Sequence, residues 1–219
     1  MIKALVFDFD GLILDTESSL IAAYEAVHVE HGIAFDKDLF HRNVGHADYH
    51  FDPWSAFNKK ISIEILEKER RAKNKAIELK LEVLPGVVDL LDEGVKQGLS
   101  LAIASNSSHF HVEGHLGRLG LLKYFNFIVC REDVKQPKPE PDMYSLVINN
   151  LGIKSNQAIA FEDSHTGSKA ARRANLWVVG VPNSATAHHD FSYTHKIIPS
   201  LASVTLDGLK ATFIQGSSK

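Results

Sequence analysis

The chain has 219 residues, 44% of them hydrophobic, and a formal net charge of -3. That apolar content suffices for a packed core in one large domain or in one domain with an insert, and the near-neutral charge excludes the electrostatic footprint that nucleic acid or an anionic membrane surface requires. A single cysteine, Cys130, leaves no internal disulfide, and no apolar run approaches membrane-spanning length, so a soluble cytoplasmic protein is expected, a monomer or weak homodimer without nucleic-acid or membrane partners.

Ile2 to Phe7 is an apolar, β-rich run that reads as a buried strand, and it stops on Asp8. Asp10 follows in the next loop, and Gly11 supplies a turn with no side chain in the way. In an open parallel sheet, ligands bind beyond the carboxyl ends of the strands, so Asp8 falls where chemistry is expected. Two carboxylates that close repel each other unless a cation or a proton joins them. That is the physical case for a Mg²⁺ site with one carboxylate free to attack or to shuttle protons. Taken alone, Asp-x-Asp-Gly describes a surface turn equally well.

From Ser18 to His31 the pattern becomes helical, with Thr16 as a candidate cap. Residues 36–54 form a mixed segment dense in His, Asp and aromatics, and Ile61 to Leu81 is a long, charged helical pattern. Residues 16–81 thus carry no strand and read as an all-helical cap, inserted into an α/β core made of residues 1–15 and 82–219. From Leu84 onward strand and helix alternate. Helices are predicted at Val87–Lys96, His109–Leu119, Pro139–Leu151 and Ser164–Ala174, the last capped by Ser164, and from Leu206. Strands are predicted at Leu99–Ala104, Phe127–Cys130, Gln157–Phe161, Leu176–Val181 and Ile197-Ile198. The alternation predicts an α/β fold, a Rossmann-like parallel sheet with right-handed crossovers.

Three of these strands end in polar residues of complementary type: Asp8 and Asp10, then Ser105 and Asn106, then Glu162 and Asp163. A fourth loop carries Lys138, with Lys135 as a competing candidate. A parallel sheet brings the four loops to one edge. Carboxylates alone would bind a hard cation; an added hydroxyl and ammonium suit a phosphate beside it. His41, His46 and His50 lack ligand spacing and are expected in a substrate cleft or on a solvated face, and His188, His189 and His195 on loop surface.

With these residues in place, the chain resembles the haloacid dehalogenase superfamily of phosphohydrolases, in the helical-cap branch that includes β-phosphoglucomutase. Four motifs carry the resemblance, in order: Asp8-Phe9-Asp10-Gly11, Ser105-Asn106, Lys138-Pro139 and Glu162-Asp163-Ser164. The resemblance implies Asp8 as a nucleophile that forms an aspartyl-phosphate and Asp10 as general acid and base. It implies Mg²⁺ held by Asp8, the Asp10 backbone carbonyl and Asp163, with Glu162 as a further direct or water-mediated ligand. Ser105, Asn106, nearby amides such as that of Gly11, and Lys138 would meet the phosphoryl group. The implied activity is a Mg²⁺-dependent phosphatase acting on a small phosphorylated metabolite such as a sugar phosphate. The alternative is a phosphosugar mutase. The mutases carry a histidine where this chain has Leu20, and an arginine just after the loop glycine, where it reads Gly45-His46-Ala47-Asp48. An acid there would repel a second phosphate, so both departures favour the phosphatase.

Overall fold

The computed structural model describes residues 1–43, 52–58 and 60–215. Six parallel strands form one sheet: β1 (Ala4–Phe7), β2 (Ser100–Ala104), β3 (Phe127–Val129), β4 (Ala158–Glu162), β5 (Trp177–Gly180) and β6 (Lys196–Ile197), in the spatial order β3-β2-β1-β4-β5-β6. The winding runs outward from β1 through β2 to β3, then resumes on the other side of β1 with β4. The order therefore reverses at β1, where a crevice opens beyond the strand ends. Phe7 is in register with Ile103 on one side and Phe161 on the other. Asp8, the turn at Ser105 and the Glu162-Asp163 pair consequently leave the sheet at the same edge.

Strands β1 and β4 are buried along their whole length, as a parallel sheet covered on both faces demands. One face presents small residues: Ala4, Val6, Ala102, Ala104, Ala158 and Ala160. Helices α6 (Asp142–Leu151) and α7 (His165–Arg173) settle onto it through Met143, Tyr144, Val147, Ala170 and Ala171. The alternate positions are larger, and Phe7 stacks on Phe161 with ring centroids 5.0 Å apart. Helices α4 (Val87–Lys96), α5 (His109–Arg118) and α8 (Leu206–Gln215) complete this part of the chain.

Two compact units emerge, residues 1–14, 83–183 and 189–219 in one, residues 15–82 and 184–188 in the other. The second is helical. It contains α1 (Thr16–Glu30), α2 (Lys37–Asn43), a short 3₁₀ turn at Ser55–Phe57 and α3 (Ile63–Glu78). Its core joins Val27, Trp54, Phe57 and Leu66, and the Trp54 indole N–H donates to Glu67 Oε1 at 2.9 Å.

Several local expectations are corrected. Asp15, not Thr16, caps α1, accepting the Ser18 amide at 3.0 Å; its longer acceptor arm reaches the orphan donor from outside the helix. Helix α6 starts at Asp142 rather than Pro139, because Pro137, Pro139 and Pro141 keep the residues before them out of helical geometry. His189 is buried, and half-buried His195 accepts the Val178 amide on Nδ1 at 2.9 Å, so neither lies on loop surface. Cys130 is buried just past β3. Burial, with the charges of Glu132 and Asp133, pushes its thiol up to about 12, so it stays protonated and unreactive. No helix of the described residues is long and apolar enough to cross a membrane.

Candidate active site

The site grows from the end of β1. The Asp8 amide donates to the Phe161 carbonyl at 3.0 Å, so the ladder with β4 continues one residue past the strand and fixes the Asp8 backbone. The chain then folds tightly back. The Phe9 carbonyl accepts the Ile13 amide at 2.9 Å, and the Gly11 amide donates to Leu14 at 2.7 Å. Gly11 holds φ at 71°, which only a residue without Cβ adopts freely. Its amide is engaged inside this turn, and its carbonyl accepts the Asn183 side chain at 3.1 Å.

Lys138 sits between two acids. Its Nζ donates to Asp8 Oδ1 at 2.9 Å and to Glu162 Oε1 at 2.6 Å, with all three residues buried. Lys135 is exposed. The Lys138 backbone is pinned from both ends by Asn106, which accepts its amide at 2.9 Å and donates to its carbonyl at 3.1 Å. The Asn106 side chain is thus spent on placing Lys138. Tyr144, on α6, donates its hydroxyl to Glu162 Oε1, and Glu162 Oε2 is buried with no hydrogen-bond partner among the described residues. Asp163, only 1% exposed, accepts the Asn183 amide on Oδ2 at 2.9 Å.

Asp10 lies a step outward. Ser107 Oγ donates to its Oδ2 at 2.6 Å, and His111 Nε2 is 3.0 Å from its Oδ1. Ser105 Oγ lies 3.5 Å from Oδ2 and accepts the Ser107 amide at 3.0 Å. The cap of α5 is Ser108, so Ser105 and Ser107 are left to the site.

Charge is out of balance here. Burial raises the Asp8 carboxyl, the Lys138 ammonium pulls it back, and the Asp10 charge raises it further. Burial and the Asp8 charge push Glu162 up to about 8 against Lys138 and Tyr144. Burial opposes the Lys138 ammonium, but the charges of Asp8 and Glu162 together hold it above the ordinary lysine range. One oxygen from each of Asp8, Glu162 and Asp163 lies within 4.8 Å of the others. Three hard oxygen donors this close, balanced by a single ammonium, fit a divalent cation of the Mg²⁺ type.

Four residues here escaped the sequence: Tyr144, Ser107, His111 and Asn183. Tyr144 obeys the apolar period of α6, and Asn183 belongs to no motif. Its one signal is that it follows a parallel strand at the edge where ligands bind. Leu20 lies half-buried on α1 in the helical unit. Gly45, His46 and His50 lie outside the described residues, as does the His41 side chain.

A family model described as haloacid dehalogenase-like hydrolase matches residues 5–181. The chain is 37% identical over 205 residues to YhcW of Bacillus subtilis, assigned as a phosphatase, covering 90% of this chain and 91% of that one. It is 33% identical over 178 residues to a phosphorylated carbohydrates phosphatase of Thermotoga maritima, covering 80% and 82%. A solved structure from Thermotoga maritima, assigned as a beta-phosphoglucomutase, superposes with a TM-score of 0.82 at 29% identity, covering 96% of this chain and 99% of that one.

Proposed function

The chain belongs to the haloacid dehalogenase-like hydrolase family and is a phosphoric monoester hydrolase, and we propose that it is a Mg²⁺-dependent phosphatase that releases phosphate from a small sugar phosphate through an aspartyl-phosphate on Asp8. The observation that carries this reading is the buried chain Asp8–Lys138–Glu162 beside the separately held Asp10 carboxylate. An oxygen of Asp8 attacks phosphorus and the bond to the leaving oxygen breaks, with a proton passing from Asp10 to that oxygen. Water then attacks the same phosphorus, Asp10 takes its proton, and the bond to Asp8 breaks, restoring both acids. Lys138 and the Ser105 hydroxyl face the phosphoryl oxygens. Phosphoryl transfer asks for positioning and charge neutralisation above all. Asp8, Asp163, Glu162 and the Asp10 backbone carbonyl are the groups that would hold Mg²⁺, which supplies positive charge against the phosphoryl oxygens. In this reading residues 16–81 form the helical cap and select the leaving group.

The test is a panel of phosphorylated metabolites assayed for phosphate release. Turnover should appear with Mg²⁺, vanish in excess chelator and return on adding Mg²⁺. Full activity in chelator would refute the metal, and silence across the panel would refute the phosphatase. Similarity to a structure assigned as a mutase makes sugar 1-phosphates the informative members. Isomerisation to the 6-phosphate faster than phosphate release would replace this reading by the mutase.

Asn183 gives a separate check. Its amide ties Asp163 to the Gly11 carbonyl, so Asn183→Ala frees a metal ligand to turn. Supports of this kind are typically worth about 10–100-fold in metal affinity. Calorimetric Mg²⁺ binding should weaken by about that factor, and unchanged affinity would show that Asp163 is held by other contacts.

A further inference from the structure

Glu162 is wholly buried, and its two oxygens are treated differently. Oε1 receives the Lys138 ammonium at 2.6 Å and the Tyr144 hydroxyl, while Oε2 has no hydrogen-bond partner among the described residues and packs on Gly167 in the first turn of α7. A Cβ at position 167 would overlap this carboxylate, so the acid occupies the space that glycine leaves. Tyr144 holds the opposite side. Its ring also lies under Lys138, with Nζ 5.3 Å from the centroid. Tyr144 and Met143 are seated in the core, on a helix that packs against β2 and β3, and Tyr144 has no exposed surface. A rigid element therefore aims the hydroxyl.

We propose that Tyr144 is a positioning residue for catalysis: its hydroxyl, working against the floor at Gly167, locks the Glu162 carboxylate so that Lys138 is aimed at Asp8 and the phosphoryl group. The proposal rests on the phosphatase reading. Glu162 has side-chain torsions that could swing Oε1 away from Nζ, and a lysine ammonium has no directional fork of its own. A phenol fixed by the core removes that freedom.

Tyr144→Phe removes one buried oxygen and leaves the ring under Lys138. Such supports typically cost about 10–100-fold in activity when lost, and kcat/KM should fall within that range while the thermal midpoint stays close to that of the native chain. The same change in a Glu162→Gln background should cost several-fold less, because the route through the carboxylate is already weakened. Inorganic phosphate binding provides a readout apart from turnover. In an Asp8→Asn background, calorimetry should show weaker phosphate binding when Tyr144→Phe is added. Equal losses in the native and Glu162→Gln backgrounds, or no loss in either turnover or phosphate binding, would overturn the proposal. So would unfolding of Tyr144→Phe, which would place the hydroxyl in stability. A native chain inactive on every phosphate ester defeats the phosphatase reading instead, and the phosphate-binding comparison then decides on Tyr144 alone.

Discussion

Asp8→Asn is expected to abolish turnover while the chain stays folded. The amide has the shape of the carboxylate but no anionic oxygen to attack phosphorus. Loss of a nucleophile removes the covalent route entirely, and a fall on the order of 10⁴-fold or more is expected by analogy with other covalent catalysts. The fold should tolerate the change. Asp8 is buried beside two further acids, and its backbone is held by β4 rather than by its side chain. Removing one charge from an overcrowded negative cluster relieves repulsion that Lys138 only partly offsets. Because Asp8 is also a proposed metal ligand, lost turnover alone does not identify the nucleophile. Trapping decides: acid-quenched native enzyme should carry substrate phosphorus covalently, and the Asp8→Asn protein should carry none. Phosphorus still bound in that variant would assign the nucleophile elsewhere.

The sheet was legible because its strands are continuous apolar runs of the length a doubly covered parallel strand needs. β1, β2, β4 and β5 were readable to within a residue or two. Helix α2 was not. Lys37–Asn43 carries only Leu39 and Phe40 as apolar residues, too few for a period to show. The acids and Lys138 were legible because each stands where a strand ends or beside a proline turn. Their partners were not, for two physical reasons. Tyr144 packs as a core residue, and the hydroxyl that reaches Glu162 leaves no trace in a hydrophobic period. Asn183 and His111 make their contacts across long sequence separations, to Gly11, Asp163 and Asp10, and no local pattern encodes such pairs. Asn106 was readable as a polar residue at a strand end, but not its attachment to the Lys138 backbone, which only the folded loops reveal.

Asp10→Asn is expected to damage both halves of the cycle, to a degree set by the leaving group. Ser107 and His111 hold the Asp10 carboxylate at 2.6 Å and 3.0 Å, so the side chain is already oriented and its replacement tests chemistry rather than placement. An alkyl alcohol leaves as a strong base and needs a proton as it departs. A nitrophenolate leaves with little help, so formation of the aspartyl-phosphate from nitrophenyl phosphate should suffer less. The second half is different. Water needs a base whatever ester supplied the phosphoryl group, so the phosphoenzyme should accumulate. Rapid mixing of the variant with nitrophenyl phosphate should give a burst of nitrophenolate followed by slow turnover, and a sugar phosphate should give little of either. General acid–base catalysis is worth about 10²–10⁴-fold, well within reach of a stopped-flow comparison. Equal losses for both leaving groups, with no phosphoenzyme trapped, would mean that Asp10 serves the metal site and moves no proton.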